Sequence, residues 1–314
     1  MWAAGSGTRS AEIGGRCLKK SLASASVQER HALIERLREQ MPHLSVRKLC
    51  RSLGVNRQWY YQHGCPSAHQ ESDQRLRAAI HEIREVFAGY GYRRVTKTLV
   101  RAGWKVNHKR IWRVMRQAGL TCRRKRHTVH TTDSKHSYQI YPNLVKGLQV
   151  EAPNRCWVAD LTYVRLPEGC VYLACILDLY SRKCIGWSLS RRIDAQLPLQ
   201  ALEMALAQRQ ISSGLIRHSD RGRQYCSNVY VERLLDVGAN ISMSTPGQPT
   251  ENAFAESFIK ALKWEEVYLH QYHIFEEAQA RLQTFLEDVY NAKRLHSSLD
   301  YVPPDEFELK YAMC

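Results

Sequence analysis

From Asn154 onward the chain reads as three strand-forming runs in succession, RCWVADLTYVRL, CVYLACILDLYS and KCIGWSLS. Only short turns separate them, Pro-Glu-Gly and then Ser-Arg. β-branched and aromatic residues crowd the runs, and connections this short join antiparallel neighbours, so a three-strand meander is predicted. After it the period changes. AQLPLQALEMALAQRQ reads as helix, GLIRHSD as a short strand ending in an acid, SNVYVERLLDVGA as helix and NISMST as strand. TENAFAESFIKALKWEEVY is a long helix and IFEEAQARLQTFLEDVYNAKR another. Three strands followed by alternating helix and strand restrict residues 154–314 to a mixed sheet with helices on both faces, an α/β layer domain.

The half before this domain differs in charge. Residues 1–150 carry 29 Lys and Arg against 9 Asp and Glu, residues 151–314 carry 17 against 21, and the whole chain is at +16. So basic a half needs a polyanion partner or repels itself. Nucleic acid fits better than a merely soluble basic surface, because the cations lie on amphipathic helices and not on one tail. VQERHALIERLREQ is a short helix within the flexible segment 1–44. Residues 45–64 then read as helix-turn-helix: Val46, Leu49 and Leu53 keep helical spacing, Gly54 turns the chain, and Val55 opens a helix carrying Arg57 and Gln58. In that motif the second helix enters the major groove.

Residues 65–120 form a second helical unit. Leu76, Ile80, Ile83 and Val86 share one face, and a later helix turns Ile111, Val114 and Met115 inward with Lys109, Arg110, Arg113 and Arg116 outside. Residues 121–153 have no period and begin with a basic cluster, as expected of a linker that tracks phosphates. No run is long and apolar enough for a membrane span, and the N-terminus lacks a secretion signal. The ten cysteines form no Cys-x-x-Cys pair. Cys170, Cys175 and Cys184 fall in the strand runs and are expected as reduced core thiols of a cytoplasmic protein.

Three acids stand at awkward or site-forming places. Asp160 sits in the first strand among Trp157, Val158 and Leu161, where an unpaired carboxylate is costly. Asp220 ends the fourth strand, in IRHSDRGRQY, and carboxyl ends of strands in α/β sheets are where sites form. Glu256 lies on the long helix, in ENAFAESFIKALK. Carboxylates suit two hard cations such as Mg²⁺ with Mn²⁺ as substitute, a pair suited to phosphoryl transfer. Asp160, central in its strand, is the candidate to bridge them. Asn252, one turn before Glu256, either orients substrate or starts the helix. His218 and Ser219 position Asp220, and His296 and Ser297 pack or touch DNA.

These words carry a resemblance. WVADLTYV, HSDRGRQY, ENAFAESFIKALKWE and YNAKRLHSSLDYVPPDEF, with YGYRRVTKTLVRAGWKVNHKRIWRVMRQAGL upstream, resemble the OrfB-type transposases of the bacterial insertion-sequence-three family. The spacing of Asp160, Asp220 and Glu256, with 59 and then 35 residues between, is similar to the Asp-Asp-Glu triad of retroviral-integrase-type cores. The likeness spans roughly residues 45–309. It implies an RNase-H-like fold, the three acids as metal ligands, and cleavage and 3′-OH strand transfer on double-stranded DNA at insertion-sequence ends and in target DNA. By the same likeness Lys263, two helical turns after Glu256, meets a DNA phosphate. Lys260 does similar work or pairs with Glu256 at i,i+4. A homo-oligomer on DNA is implied, and an upstream-frame subunit or fusion, since no sustained heptad repeat precedes residue 45. A nuclease or resolvase of similar core that only hydrolyses, a DNA-binding regulator without catalysis, and an inactive element are the alternatives.

Overall fold

The computed structural model describes residues 27–40, 44–62, 66–122, 138–211, 214–245 and 248–312. The expected flexible start up to residue 26 and the basic cluster at 123–126 lie outside them. The chain divides into two compact units, Met1–Ala78 and Ala79–Cys314, with the boundary inside a helix.

In the first unit α1 (Val27–Gln40), α2 (Val46–Ser52) and α3 (Arg57–Gln62) surround a small core of Ile34, Cys50 and Tyr60. The Ser45 side chain accepts the Lys48 N–H to cap α2. Gly54, at φ +63°, takes the left-handed turn that a side chain would strain. Asn56 Oδ1 then accepts the Gln58 N–H at 2.7 Å and starts α3, which leaves Arg57 and Gln58 exposed. Next comes α4 (Pro66–Val86), with Leu76 and Ile80 buried one turn apart. Val86 departs from the expected face: at the last residue of the helix it is exposed.

The second unit opens with the end of α4, α5 (Tyr92–Arg101) and α6 (His108–Gln117). Ile111, Val114 and Met115 are buried in α6, the inward set that its periodicity predicts. Residues 138–153 then run along the sheet domain, where the Leu144 N–H donates to Ser242 Oγ at 2.8 Å and Tyr138, Tyr141, Val145 and Val150 pack on its cores.

The meander is β1 (Cys156–Leu166), β2 (Gly169–Asp178) and β3 (Cys184–Ser190). After it come α7 (Gln196–Gln208), β4 (Ile216–Ser219), α8 (Asn228–Asp236) and β5 (Asn240–Met243). A 3₁₀ turn (Pro249–Asn252) leads into α9 (Ala253–Leu262), a π turn (Lys263–Val267) and α10 (Phe275–Thr284). A second π turn (Phe285–Asn291) and α11 (Pro304–Ala312) follow. The strand order is β3-β2-β1-β4-β5, with β2 antiparallel to its neighbours and β4 and β5 parallel to β1, which is the RNase-H-like arrangement.

Alternate residues feed two cores. Cys156, Val158 and Val164 meet α9 and α10, while Trp157 and Ala159 meet α7 and α8. Each large apolar side chain buried this way contributes roughly 1.5–3 kcal/mol. Cys175 and Cys184 are buried as expected, but Cys170 is exposed, because β2 begins beyond the core. No helix among the described residues is long and apolar enough to cross a membrane.

One close approach fixes β3 against α7. A Cβ on Gly186 would lie 2.2 Å from the Ala201 carbonyl oxygen and 2.9 Å from Ala205 Cβ. The backbone atom cannot swing aside. Gly186→Ala is expected to cost about 1–3 kcal/mol or more through overpacking, read as a lowered midpoint in urea. An unchanged midpoint would show that strand and helix part freely.

Candidate active site

Strand register brings the two aspartates together. β1 and β4 run parallel with Val158 opposite His218, so two residues further along each strand Asp160 and Asp220 stand abreast, where β4 ends. One residue past that last pair, the Ala159 carbonyl accepts from the side-chain amide of Asn252 at 3.1 Å. This bond pins the start of α9 to β1 beside Asp160. Ala255, Phe258, Ile259 and Leu262 seat the helix on the sheet, and Glu256 stands on its exposed side one turn after Asn252. Asn252 therefore positions α9, and its buried Oδ1 has no hydrogen-bond partner among the described residues.

The turn after β4 is built for its acid. Asp220 Oδ1 accepts the Gly222 N–H at 3.0 Å. Asp160 Oδ1 accepts the Leu161 N–H at 2.8 Å. His218 is buried beneath the site with Nδ1 2.8 Å from Ser242 Oγ. Burial, with Arg217 next to it, pushes its pKa down to about 4, so it is a neutral tie between β4 and β5.

Electrostatics show that the three acids feel one another. The Asp160 carboxyl is pushed up to about 8, first by burial and then by Asp220 and Glu256, against the Leu161 N–H and Lys263. Glu256 is raised by burial and by Asp220. Lys263 is lowered by burial and supported by Asp160, and its ammonium lies 4.4 Å from the centre of the Tyr163 ring. As they lie, the carboxylates do not close on one point: among the described residues no three His, Cys, Asp or Glu side chains form a ready metal cage. The donor set nevertheless fits a divalent cation. Three hard oxygen ligands lie close enough to shift one another, with one half-buried lysine near Asp160, and a cation would reverse the cost that raises Asp160.

The other sequence candidates sit elsewhere. Lys260 is exposed one turn after Glu256. Lys109 and Arg113 are exposed on α6 and Arg110 is half-buried there, while Arg57 and Gln58 belong to the first unit. His296 is a packing residue, buried edge-on against Tyr290, and Ser297 is exposed. Sequence reasoning missed Tyr163, whose only signal was an aromatic three residues after the strand acid.

Known proteins resemble the chain along most of its length. A family model described as Integrase core domain matches residues 150–249, a second of that description matches 237–304, and an HTH-like domain matches 71–128. The chain is 37% identical over 236 residues to the transposase for insertion sequence element IS904 of Lactococcus lactis subsp. lactis (strain IL1403), covering 75% of this chain and 92% of that protein. It is 37% identical over 271 residues to the 31 kDa protein of insertion element IS600 from Shigella sonnei, covering 84% and 98%. Transposase InsF for insertion sequence IS3A of Escherichia coli (strain K12) is 34% identical over 274 residues, covering 85% and 94%. Among solved structures, the catalytic core domain of BIV integrase superposes with a TM-score of 0.39 at 16% identity, covering 51% of this chain and 97% of that one.

Proposed function

The chain belongs to the OrfB-type transposases of the insertion-sequence-three family, and from that premise we propose that it cleaves and joins DNA at insertion-sequence ends with Asp160, Asp220 and Glu256. The observation that supports this most is that Asp220, Glu256 and Lys263 lie close enough to act on Asp160 electrostatically, where pairing between β1 and β4 stops. Two Mg²⁺ ions, or Mn²⁺, would supply the charge that activates an attacking oxygen and stabilises a leaving one. Asp160, Asp220 and Glu256 would hold them, with Asp160 between the other two as the central ligand.

The chemistry is two displacements at phosphorus. Water attacks first, the bond to the 3′ oxygen breaks, and a 3′-OH is freed with the phosphate left on the other fragment. That 3′-OH then attacks a second phosphodiester, so one P–O bond forms as another breaks and no outside energy source is consumed. The residues do the placing. Lys263, its amine held beside Asp160 and Tyr163, would neutralise a donor-end phosphate, and Lys260 a further one. Arg57 and Gln58 would read the major groove of the terminal repeat, and Lys109, Arg110 and Arg113 would hold backbone. The reaction joins two ends and a target, so the working form would be a homo-oligomer on DNA in the cytoplasm, with an upstream-frame subunit or fusion as part of it.

The test is the purified chain with a labelled duplex carrying the terminal sequence that flanks its gene, with Mg²⁺ or Mn²⁺, resolved on a denaturing gel. Nicked and joined strands are expected. Nicking without joining would replace this reading by a hydrolysing nuclease. Binding without cleavage, even with an upstream-frame subunit added, would replace it by a regulator or an inactive element.

A further inference from the structure

A cavity of about 470 Å³ opens beside Asp220. It adjoins the acid centre and shares Asp220 and Tyr163 with it. Tyr163 stands opposite Tyr172, and Arg165 opposite Cys170, across the β1–β2 ladder. The register puts Tyr172, Arg165 and Cys170 with Leu161 on the sheet face that meets α7 and α8, while the Tyr163 ring also lies 4.4 Å from the Lys263 ammonium at the end of α9. Ile193 and Gln224 wall the far side, with the Gln224 amide donating to the Ile193 carbonyl at 3.4 Å. Asp220 alone of the three acids lines it.

We propose that this cavity receives one unstacked nucleobase of the bound DNA, from the nucleotide flanking the phosphate held at Asp220. This rests on the reading above that DNA is cut at these acids. The volume falls within the roughly 300–1,000 Å³ of sites for small organic groups. Its composition narrows the class. Two half-buried tyrosines with Leu161 and Ile193 offer ring faces and apolar surface to a flat heterocycle, and stacking of this kind tolerates any base. Arg165, exposed at the rim, suits the phosphate or the base face, and the Gln224 amide suits a base edge. Gly222 keeps the passage to the acids open: a Cβ there would lie 3.0 Å from Asp220 Oδ1 and 3.4 Å from Gln224 Oε1. A base in this cavity would draw its nucleotide out of the duplex and hold the neighbouring phosphate against Asp220, which is how enzymes acting on stacked DNA gain access.

Cys170 lines the cavity and is exposed, so it can report occupancy. End duplexes would carry a base with a thiol tether, activated as a mixed disulfide, at each position in turn around the cleavage site. The full chain bearing Glu256→Gln, which keeps the DNA uncut, would be used, with binding followed separately by gel shift. Trapping is expected at one nucleotide several-fold above its neighbours, lost with Cys170→Ser and reduced with Tyr172→Ala while the shifted complex persists. Uniform trapping, or none in a complex that forms, overturns the pocket and leaves the catalytic reading standing. Selective trapping on a chain whose Glu256 form never cuts overturns the catalytic reading and keeps the pocket. A chain that binds no end duplex overturns both.

Discussion

Asp160→Asn and Glu256→Gln are each expected to lower cleavage and joining together by about 10³-fold or more, the scale of losing a main electrostatic element of a phosphoryl-transfer site. Asparagine and glutamine keep the size of the side chains and remove the charge that holds a cation. The two steps fall together because both use the same centre, and the double variant is expected to lose little beyond either single one. Stability distinguishes this from misfolding. Without metal, Asp160 is held at a cost, since burial and two neighbouring acids push its carboxyl up to about 8. Above its unfolded pKa the folded metal-free chain must protonate Asp160 while the unfolded chain does not, so replacing it with Asn removes that cost and should leave the metal-free chain as stable as the parent or more so at neutral pH. Mg²⁺ should raise the melting temperature of the parent by mass action and leave Asp160→Asn unmoved. A variant that cleaves at the parental rate, or that melts far below it without metal, would remove Asp160 from the centre.

Much of this was legible in the sequence because local physics decides it. The strand runs of β1 to β3 stand out by composition, and the inward set of α6 follows from a period of 3.6. Asp160 and Asp220 were visible as acids at costly or site-forming strand positions. What brings them together was not. Their proximity depends on β4 being only four residues long and on the parallel register of Val158 with His218, which no local pattern encodes. Asn252 read equally as a substrate-orienting residue or a helix start, and its side-chain amide bonds the start of α9 to the Ala159 carbonyl. Cys170 looked like a core thiol because its strand is apolar, but the strand outruns the helices that cover it. Glu265 and Glu266 fall in the run read as one long helix. The helix instead widens into a π turn at Lys263 and swings both inward, toward cations far away in sequence.

Those buried glutamates lead to the largest expected loss of stability. Glu265 makes a two-pronged pair with Arg294, at 2.7 and 2.8 Å, and both side chains are almost wholly buried. Arg94 of α5 approaches the same carboxylate at 3.7 Å, and the Tyr90 hydroxyl accepts the Leu295 N–H at 2.7 Å. Gly89 lets the chain lie against Glu265, since a Cβ there would sit 2.4 Å from Glu265 Cγ. The Gly89–Tyr90 turn and α5 are thereby held to the π turn that begins at Lys263 and to the segment at Arg294 and Leu295. Arg294→Met strands a buried carboxylate with one longer partner, so a loss of about 3–5 kcal/mol is expected. For a unit of this size that lowers the melting temperature by roughly 10 °C. Adding Glu265→Gln should restore part of it, because the stranded charge and not the missing contact is the main cost. Acid sensitivity should change as well. His296, 3.3 Å from Arg294, has its pKa pushed down to about 2 by burial and then by that arginine. Its unfolded form takes a proton first, so stability falls as pH drops below about 6.5. With Arg294 gone, the folded imidazole accepts a proton sooner and the slope becomes shallower. Hydrogen exchange should quicken at Val95 and Leu99 before it does in the sheet, because α5 is what the pair secures. If Arg294→Met melts with the parent and exchanges evenly, the pair does not couple helices to core, and the hydrophobic faces alone hold them.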